Sequence, residues 1–308
     1  MSGLKTLLSD IEVGPSVGAG TFGIVYKGRW KGTSVAIKII SHQGAGHSSN
    51  ARTSREAMIG MASSHPNVVA VYRVVTAANE VVALEVVAVD GYNLKTYIIM
   101  EYCDKGNLES HREEGWALMR SDYQKGLVWV LRCLLEIVFG MEYLHSLSIV
   151  HGDLKCANVL CKSSTSDARG FTCKVADFGL SQTGVTDGVT AITSKPGTAV
   201  FAAPELLRTD LEDIQVTYQV LEKDWRPEFP EQTPELYKEV VSQCWATERE
   251  DRPSFKDVRG SLTDMLNQEF ATRRKSLPSQ RSRSAEVVDM RALLGTNEPA
   301  PRVHPHSG

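Results

Sequence analysis

Two short polar stretches in the middle of the chain carry the residues best suited to chemistry. Residues 151–158 read HGDLKCAN and residues 177–179 read DFG. Asp153 can orient an attacking hydroxyl, and Lys155 can offset negative charge beside it. Asn158 and Asp177 offer the oxygen ligands that Mg²⁺ prefers. Together these groups suit the transfer of a phosphoryl group, because that reaction depends mainly on positioning and electrostatic stabilisation.

A glycine-rich turn lies upstream, within residues 13–40, which read as three β-strands broken by glycines. Gly18, Gly20 and Gly23 leave the backbone bare enough to close over phosphate groups. A dinucleotide-binding turn is a competing interpretation, but it needs a helix to begin at the third glycine. Residues 24–27 (IVYK) continue as a strand instead. A plain hairpin turn is the other alternative.

A lysine in an apolar strand is the next feature. Residues 35–38 read VAIK, and Lys38 is costly to bury unless it faces an anion. A helix predicted over residues 51–62 contains Glu56, which is the candidate partner. Gly60 follows Glu56 by one turn and weakens that helix.

The remaining elements supply a scaffold for these groups. Residues 68–76, 81–89 and 97–102 read as further strands. Residues 115–145 read as helical, with apolar side chains at spacings of three and four that predict a core-facing stripe. That stripe contains Leu127, Leu131, Leu134, Leu135 and Val138.

Taken in chain order, these motifs resemble the eukaryotic-type protein kinases. The resemblance implies an α+β bilobal fold, with a five-stranded antiparallel N-lobe that includes helix C and a mainly helical C-lobe. The implied kinase domain covers residues 13–268, with the N-lobe at about 13–101 and the C-lobe at about 107–268. Residues 1–12 would form an N-terminal extension, and residues 269–308 a disordered tail rich in basic residues, serine and proline.

The resemblance also implies a role for each site residue. It assigns catalysis to Asp153, Lys155, Lys38 and Glu56, and metal binding to Asn158 and Asp177. The implied ATP-binding residues are Val17, Gly18, Gly20, Gly23, Val25, Ala36, Lys38, Met100, Glu101, Cys103 and Leu160. Backbone groups of Glu101 and Cys103 would bind the adenine, with Met100 as the gatekeeper behind it. The implied cofactors are ATP and Mg²⁺, with Mn²⁺ as the alternative ion.

Two details of the resemblance refine the class. Lys155 follows Asp153 by two residues, which is the serine/threonine form of the loop, and residues 244–255 (CWATEREDRPSF) resemble the tyrosine-kinase-like group. Gly152 replaces the arginine that commonly precedes the catalytic aspartate and pairs with a phosphate. We therefore expect phosphorylation of the hydroxyls in residues 181–194 to activate less through charge pairing. These hydroxyls belong to Ser181, Thr183, Thr186, Thr190, Thr193 and Ser194.

One part of the family pattern has no counterpart. Glu205 of the APE motif and Arg252, its expected partner, are separated by an interval of only 47 positions, and no stretch between them resembles helix F. The chain would then be a shortened form of an active kinase, a catalytically impaired scaffold that binds ATP, or a kinase in which another segment fills the gap. The first interpretation is favoured because every chemical residue is present. A small-molecule kinase of related fold is a weaker alternative.

Composition narrows the remaining classes. The 308 residues are 42% hydrophobic and 23% charged, with a formal charge of −3, which argues against a nucleic-acid-binding protein. The six cysteines show no metal-binding spacing and indicate a reducing compartment. The most apolar window, residues 127–144, carries three charges, so no membrane span is expected. The expected partners are ATP and proteins with serine or threonine, in the cytoplasm or alternatively the nucleus.

Overall fold

The computed structural model describes a defined set of residues: 10–20, 23–42, 61, 64–78, 81–83, 94–178, 181–183, 201, 203–204 and 214–276. Contacts between residues divide the chain into two compact units, Met1–Glu269 and Phe270–Gly308. The elements below belong to the first unit, except for the end of the last helix.

An antiparallel sheet forms the N-terminal part. Its strands are β1 (Ile11–Gly20), β2 (Gly23–Trp30), β3 (Thr33–His42), β4 (Val71–Ala78), β5 (Val81–Ala83) and β6 (Leu94–Glu101). Their order across the sheet is β1-β2-β3-β6-β4-β5. The sheet therefore has six strands where five were expected, because the three residues of β5 pair with β4 and extend the edge. The N-lobe sheet itself is confirmed.

Strand β3 has side chains on both faces of the sheet, and both faces are buried. Val35 and Ile37 in β3 pack with Val75 and Ile99 on one face, where all four are buried. Ala36 and Lys38 have the opposite orientation, since successive side chains in a strand alternate between faces. Both are also buried, so this second face is covered as well. Lys38 thus stands in the interior, between β2 and β6.

The C-terminal part is mainly helical. Its helices are α1 (Arg112–Ser121), α2 (Tyr123–Ser146), α3 (Ile214–Glu222), α4 (Glu235–Cys244) and α5 (Phe255–Ser276). Asp122 caps α2 by accepting a hydrogen bond from the amide of Lys125, as N-terminal caps do. The predicted apolar stripe faces the core, although α2 begins at Tyr123 and a separate helix precedes it. The bilobal α+β architecture is therefore confirmed.

Two small antiparallel pairs of strands carry the catalytic stretches. β7 (Ile149–Val150) pairs with β10 (Gln182–Thr183), and β8 (Val159–Ser163) pairs with β9 (Phe171–Val175). The HGDLKCAN stretch lies between β7 and β8, and Asp177 follows β9 by two residues. The hairpin of β8 and β9 therefore brings the two motifs side by side.

Residues 64–70 connect the two lobes through backbone hydrogen bonds. Val175 N donates to Asn67 O at 2.8 Å, and Val69 N donates to Val175 O at 2.9 Å. Asn67 Nδ2 also donates to Cys173 O at 3.0 Å. Gly140 of α2 lies against the same segment, where a Cβ would come within 2.6 Å of Asn67 O. This segment is thus bonded to the C-lobe although its chain leads into the N-lobe sheet.

Several expectations fall outside the described residues. These are the helix over 51–62 with Glu56 and Gly60, the end of the strand predicted over 81–89, Glu205, and the hydroxyls beyond residue 183. At the other end, α5 continues through Ser276, so the helix extends beyond residue 268, where the domain was expected to end. Among the helices that the structure describes, none is long and apolar enough to cross a bilayer.

Candidate active site

A buried histidine fixes the backbone around the catalytic stretch. His151 Nδ1 lies 3.3 Å from the amide of Asp153, and Nε2 lies 2.9 Å from Ala176 O. Since an amide can only donate and a carbonyl can only accept, Nε2 carries the proton and the ring is neutral. Burial lowers the pKa of His151, against a raising effect of its bond to Ala176. The ring therefore joins the loop before Asp153 to the segment before Asp177.

Two donors meet on one oxygen of Asp153. Lys155 Nζ lies 2.9 Å from Asp153 Oδ2, and Asn158 Nδ2 donates to the same oxygen at 3.0 Å and to Asp153 O at 2.8 Å. The short 3₁₀ turn Cys156–Asn158 folds the chain back so that Asn158 can reach Asp153. These bonds hold the carboxylate in one orientation, as a group that must align a hydroxyl requires.

Lys38 is bound to Asp177. Its Nζ donates to Asp177 Oδ1 at 3.1 Å across 139 residues of sequence. Asp177 has a φ of 64°, a left-handed conformation that aspartate tolerates better than most residues. The next residue, Phe178, is buried against Met141 and Leu144. The chain thus turns sharply at Asp177, so that the Asp177 carboxylate lies beside Lys38 while the side chain of Phe178 packs in the core.

Three of the expected adenine-binding residues belong to one apolar cluster. Met100, Cys103 and Leu160 pack together with Val69 and Ala176. The strand registers add Ala36 opposite Met100 and Val25 opposite Lys38, while Gly18 pairs with Val25 and Gly20 with Gly23. Val17, in β1, is half exposed. Sequence reasoning missed Val69 and Ala176, which directly follow the HPN turn and directly precede Asp177.

Glu101 is held by two lysines that sequence reasoning also missed. Its carboxylate pairs with Lys162 of β8 and, at 3.0 Å, with Lys174 of β9. Burial acts to raise the pKa of Glu101, but the hydrogen bonds from both lysines outweigh it and hold that pKa below its ordinary value. The amide of Glu101 donates to Ala70 O at 2.8 Å.

The donor set fits a small divalent cation. Asn158 uses its amide nitrogen for both bonds to Asp153, which leaves an amide oxygen on its other side, and Asp177 supplies carboxylate oxygens. Among the residues that the structure describes, no group of three His, Cys, Asp or Glu side chains could hold a metal by itself. Two protein oxygens suit Mg²⁺, which usually takes its remaining ligands from phosphates and water.

Two residues near the catalytic stretch bear on regulation. Gly152 has a φ of 82°, so the position expected to hold arginine has a backbone conformation that glycine adopts without strain. Ser181 is fully buried and its hydroxyl donates to His151 O at 3.0 Å. Of the hydroxyls named in residues 181–194, that of Ser181 is therefore less suited to phosphorylation, since it is buried and already bonded inside the fold. Arg252, the expected partner of Glu205, donates hydrogen bonds to the carbonyls of Ala246 at 2.8 Å and Thr247 at 3.1 Å.

Comparison with known proteins agrees with this geometry. The model of the protein kinase domain matches residues 11–214. The chain is 28% identical over 293 residues, 83% of its length, to a Dictyostelium discoideum protein named as a probable serine/threonine-protein kinase, of which it covers 19%. It is 30% identical over 295 residues, 86% of its length, to the tyrosine-protein kinase csk-1 of Caenorhabditis elegans, of which it covers 49%.

A third relative is matched over more of its own length. The chain is 27% identical over 282 residues, 81% of its length, to the serine/threonine-protein kinase mos of Patiria pectinifera, of which it covers 74%. Two other comparisons span only 15% and 18% of the curated relative. The similarity is thus to the catalytic domain of proteins that are mostly much longer than this chain. Their names include both serine/threonine-protein kinases and a tyrosine-protein kinase.

Proposed function

Because the chain belongs to the protein kinase family, we propose that it transfers the γ-phosphoryl group of ATP to serine or threonine hydroxyls of proteins. One observation carries the proposal, which is the meeting of Lys155 and Asn158 on Asp153 Oδ2. This arrangement places a fixed carboxylate, a cation and an amide within one short loop. Such a loop can align a hydroxyl and offset the charge of the group being transferred.

The residues act mainly by positioning. Asp153 orients the acceptor hydroxyl and takes its proton as the oxygen–phosphorus bond forms. Lys155 stands beside that carboxylate and stabilises the negative charge of the moving phosphoryl group. Lys38, now bonded to Asp177, is also the cation that we assign to the α- and β-phosphates. Glu56 remains its proposed partner from the sequence.

Metal binding is assigned to Asn158 and Asp177, with Mg²⁺ as the ion and Mn²⁺ as the alternative. Held by Asn158 and Asp177, Mg²⁺ would supply positive charge to offset the negative charge of the phosphate groups. Ala176 N donates to Asn158 O at 2.9 Å, which keeps the two ligands at neighbouring ends of the hairpin. We further propose the cytoplasm as the location, supported by the six free cysteines.

The preference for serine and threonine rests on Lys155. In this position a lysine stands beside the reacting carboxylate, which is the form that the serine/threonine class shows. A second function, an ATP-binding scaffold without transfer, is favoured by one feature alone. The interval from Glu205 to Arg252 is too short for the family's helix F, whose loss would remove many buried side chains worth about 1.5–3 kcal/mol each.

A transfer assay tests both functions. Purified chain is incubated with labelled ATP, Mg²⁺ and a mixed protein substrate, and the labelled amino acids are identified after acid hydrolysis. We expect label on serine or threonine, and a fall of at least about 10²-fold for Asp153→Asn. Asp257→Asn is the matched control, since Asp257 caps α5 through Ser254 far along the chain from the loop. Equal activity of wild type and Asp153→Asn would refute the mechanism, and ATP binding without transfer would favour the scaffold.

A further inference from the structure

A group of buried charges lies in the C-lobe away from the reacting groups. Arg169 donates to Asp167 through Nε at 2.8 Å and Nη2 at 2.9 Å, and through Nη2 to Glu136 Oε1 at 2.7 Å. The side chains of Arg169 and Glu136 are only 3% and 4% exposed. Asp167 also pairs with Arg132 at 3.5 Å. Two carboxylates and two guanidinium groups therefore balance one another inside the fold.

Such a group is difficult to explain by stability alone. Buried ion pairs must overcome the desolvation of each charge, and apolar replacements are often as stable. Burial raises the pKa of Glu136, which Arg169 only partly opposes. Burial acts in the same direction on Asp167, but the hydrogen bond from Arg169 outweighs it and lowers the pKa. Unlike apolar packing, the network fixes the orientation of its members, since a guanidinium group donates paired hydrogen bonds to a carboxylate in only a few orientations.

The network joins three separate segments. Glu136 is on α2, whereas Asp167 and Arg169 are in the turn between β8 and β9. The second oxygen of Glu136, Oε2, accepts a hydrogen bond from Cys173 N in β9 at 2.8 Å. The guanidinium of Arg169 also lies over the ring of Phe171, 5.2 Å from its centroid. The hairpin is thus bonded to α2 at its turn and again along one strand.

The free ends of the same hairpin carry the two proposed metal ligands. Asn158 immediately precedes β8 and Asp177 follows β9 by two residues, with Val159 paired to Val175 between them. A change in the tilt of the hairpin on α2 therefore moves both ligands together. Apolar contacts between the hairpin and α2, such as those of Cys133 and Phe171, hold the two together but are non-directional.

We propose that Glu136, Asp167 and Arg169 are positioning residues, which fix the hairpin of β8 and β9 on α2 so that Asn158 and Asp177 are oriented for metal-bound nucleotide. This inference rests on the proposed function. It predicts that loss of the network weakens the metal-dependent part of nucleotide binding, while metal-free nucleotide binding through the apolar adenine site is retained. A purely structural role would weaken both parts together.

The test uses the full chain with Mg²⁺ and ADP as probes, measured by titration calorimetry with and without the metal. Glu136→Gln keeps an acceptor for Cys173 N but removes the charge that faces Arg169. The matched control is Glu142→Gln, because Glu142 is on the same helix and pairs with Arg259 at 2.8 Å in a partly exposed position. We expect Glu136→Gln to raise the Mg²⁺ concentration needed for tight ADP binding about tenfold. Hydrogen exchange at the amide of Cys173 should also accelerate.

Asp167→Asn provides a second variant, which alters only the turn of the hairpin and decides the question if Glu136→Gln does not fold. A raised Mg²⁺ requirement in Asp167→Asn, and also in Glu136→Gln if that variant folds, supports the proposal when Glu142→Gln is unchanged. An unchanged Mg²⁺ requirement in Asp167→Asn, or an equal loss of ADP binding with and without metal, overturns it. ADP binding does not depend on transfer, so a wild-type chain without transfer activity would refute the proposed function while this measurement still decides the role of the network.

Discussion

Replacing Gly140 by alanine is expected to destabilise the protein, although alanine is normally the better residue in a helix. The new Cβ would lie 2.6 Å from Asn67 O and 3.1 Å from Val175 Cγ2. The carbonyl cannot rotate away, because it accepts the amide of Val175 at 2.8 Å. Relief therefore requires α2 to move away from the segment that connects the lobes.

The size of the effect follows from two opposing contributions. Alanine in a helix interior is favoured over glycine by about 1 kcal/mol. Overpacking against a fixed backbone atom costs about 1–3 kcal/mol, and the upper part of that range applies because two neighbours are contacted at once. The net loss is about 1–2 kcal/mol, which for a domain of this size lowers Tm by about 2–8 °C.

Gly260 in α5 provides the matched control. A Cβ there meets no atom within 4 Å, so Gly260→Ala should stabilise the protein by about 0.5–1 kcal/mol. Urea unfolding of both variants and wild type gives the comparison directly, provided that the m-values agree. A Gly140→Ala variant as stable as Gly260→Ala would refute the reasoning, because both substitutions make the same change in helix propensity.

Three further predictions concern the site and its surroundings. Gly152→Ala should cost about 1–2 kcal/mol in unfolding free energy because of the φ of 82°, whereas Gly152→Asn should cost less, since asparagine tolerates that conformation. Stability should fall as the pH is lowered through 6.5, the ordinary pKa of histidine, because burial lowers the pKa of His151 and His145 in the folded protein. The unfolded chain then binds protons that the folded chain does not. Unfolding of wild type and His145→Gln at several pH values measures this effect, and an unfolding midpoint that does not change with pH would contradict it. Iodoacetamide should label Cys156 and Cys244 before the four buried cysteines, as peptide mass spectrometry would show, and early labelling of a buried thiol would contradict the burial.

Motifs in a fixed order along the chain are what sequence alone can identify. Lys38, Asp153 and Asp177 are each ordinary when taken singly, and only their order with the glycine-rich turn predicts a site. The contact between Lys38 and Asp177 was not predicted, because sequence carries no measure of distance across 139 residues. The strand pattern predicts the sheet, including a strand over residues 81–89, of which the structure describes only β5 (Val81–Ala83).

Charged residues in strands and turns were where sequence reasoning failed. Lys162 and Lys174 alternate with the buried Cys161 and Cys173, which normally indicates a solvent-facing side of a strand. In the fold that side faces the carboxylate of Glu101. The turn that contains Arg169 has a polar composition typical of a surface loop. Its burial depends on partners in α2, which local composition cannot reveal.

The bonds of residues 64–70 have a mechanical consequence. The chain passes between the lobes twice in the part that the structure describes, once through this segment and once through the residues after β6. The two passages are joined where Glu101 N donates to Ala70 O at 2.8 Å, so they lie side by side and define a single pivot axis. Rotation of the sheet about that axis would keep these bonds, whereas twisting of the sheet across it would break the bonds to Val175. The sheet should therefore move relative to the C-lobe mainly by rotation about these two passages of the chain.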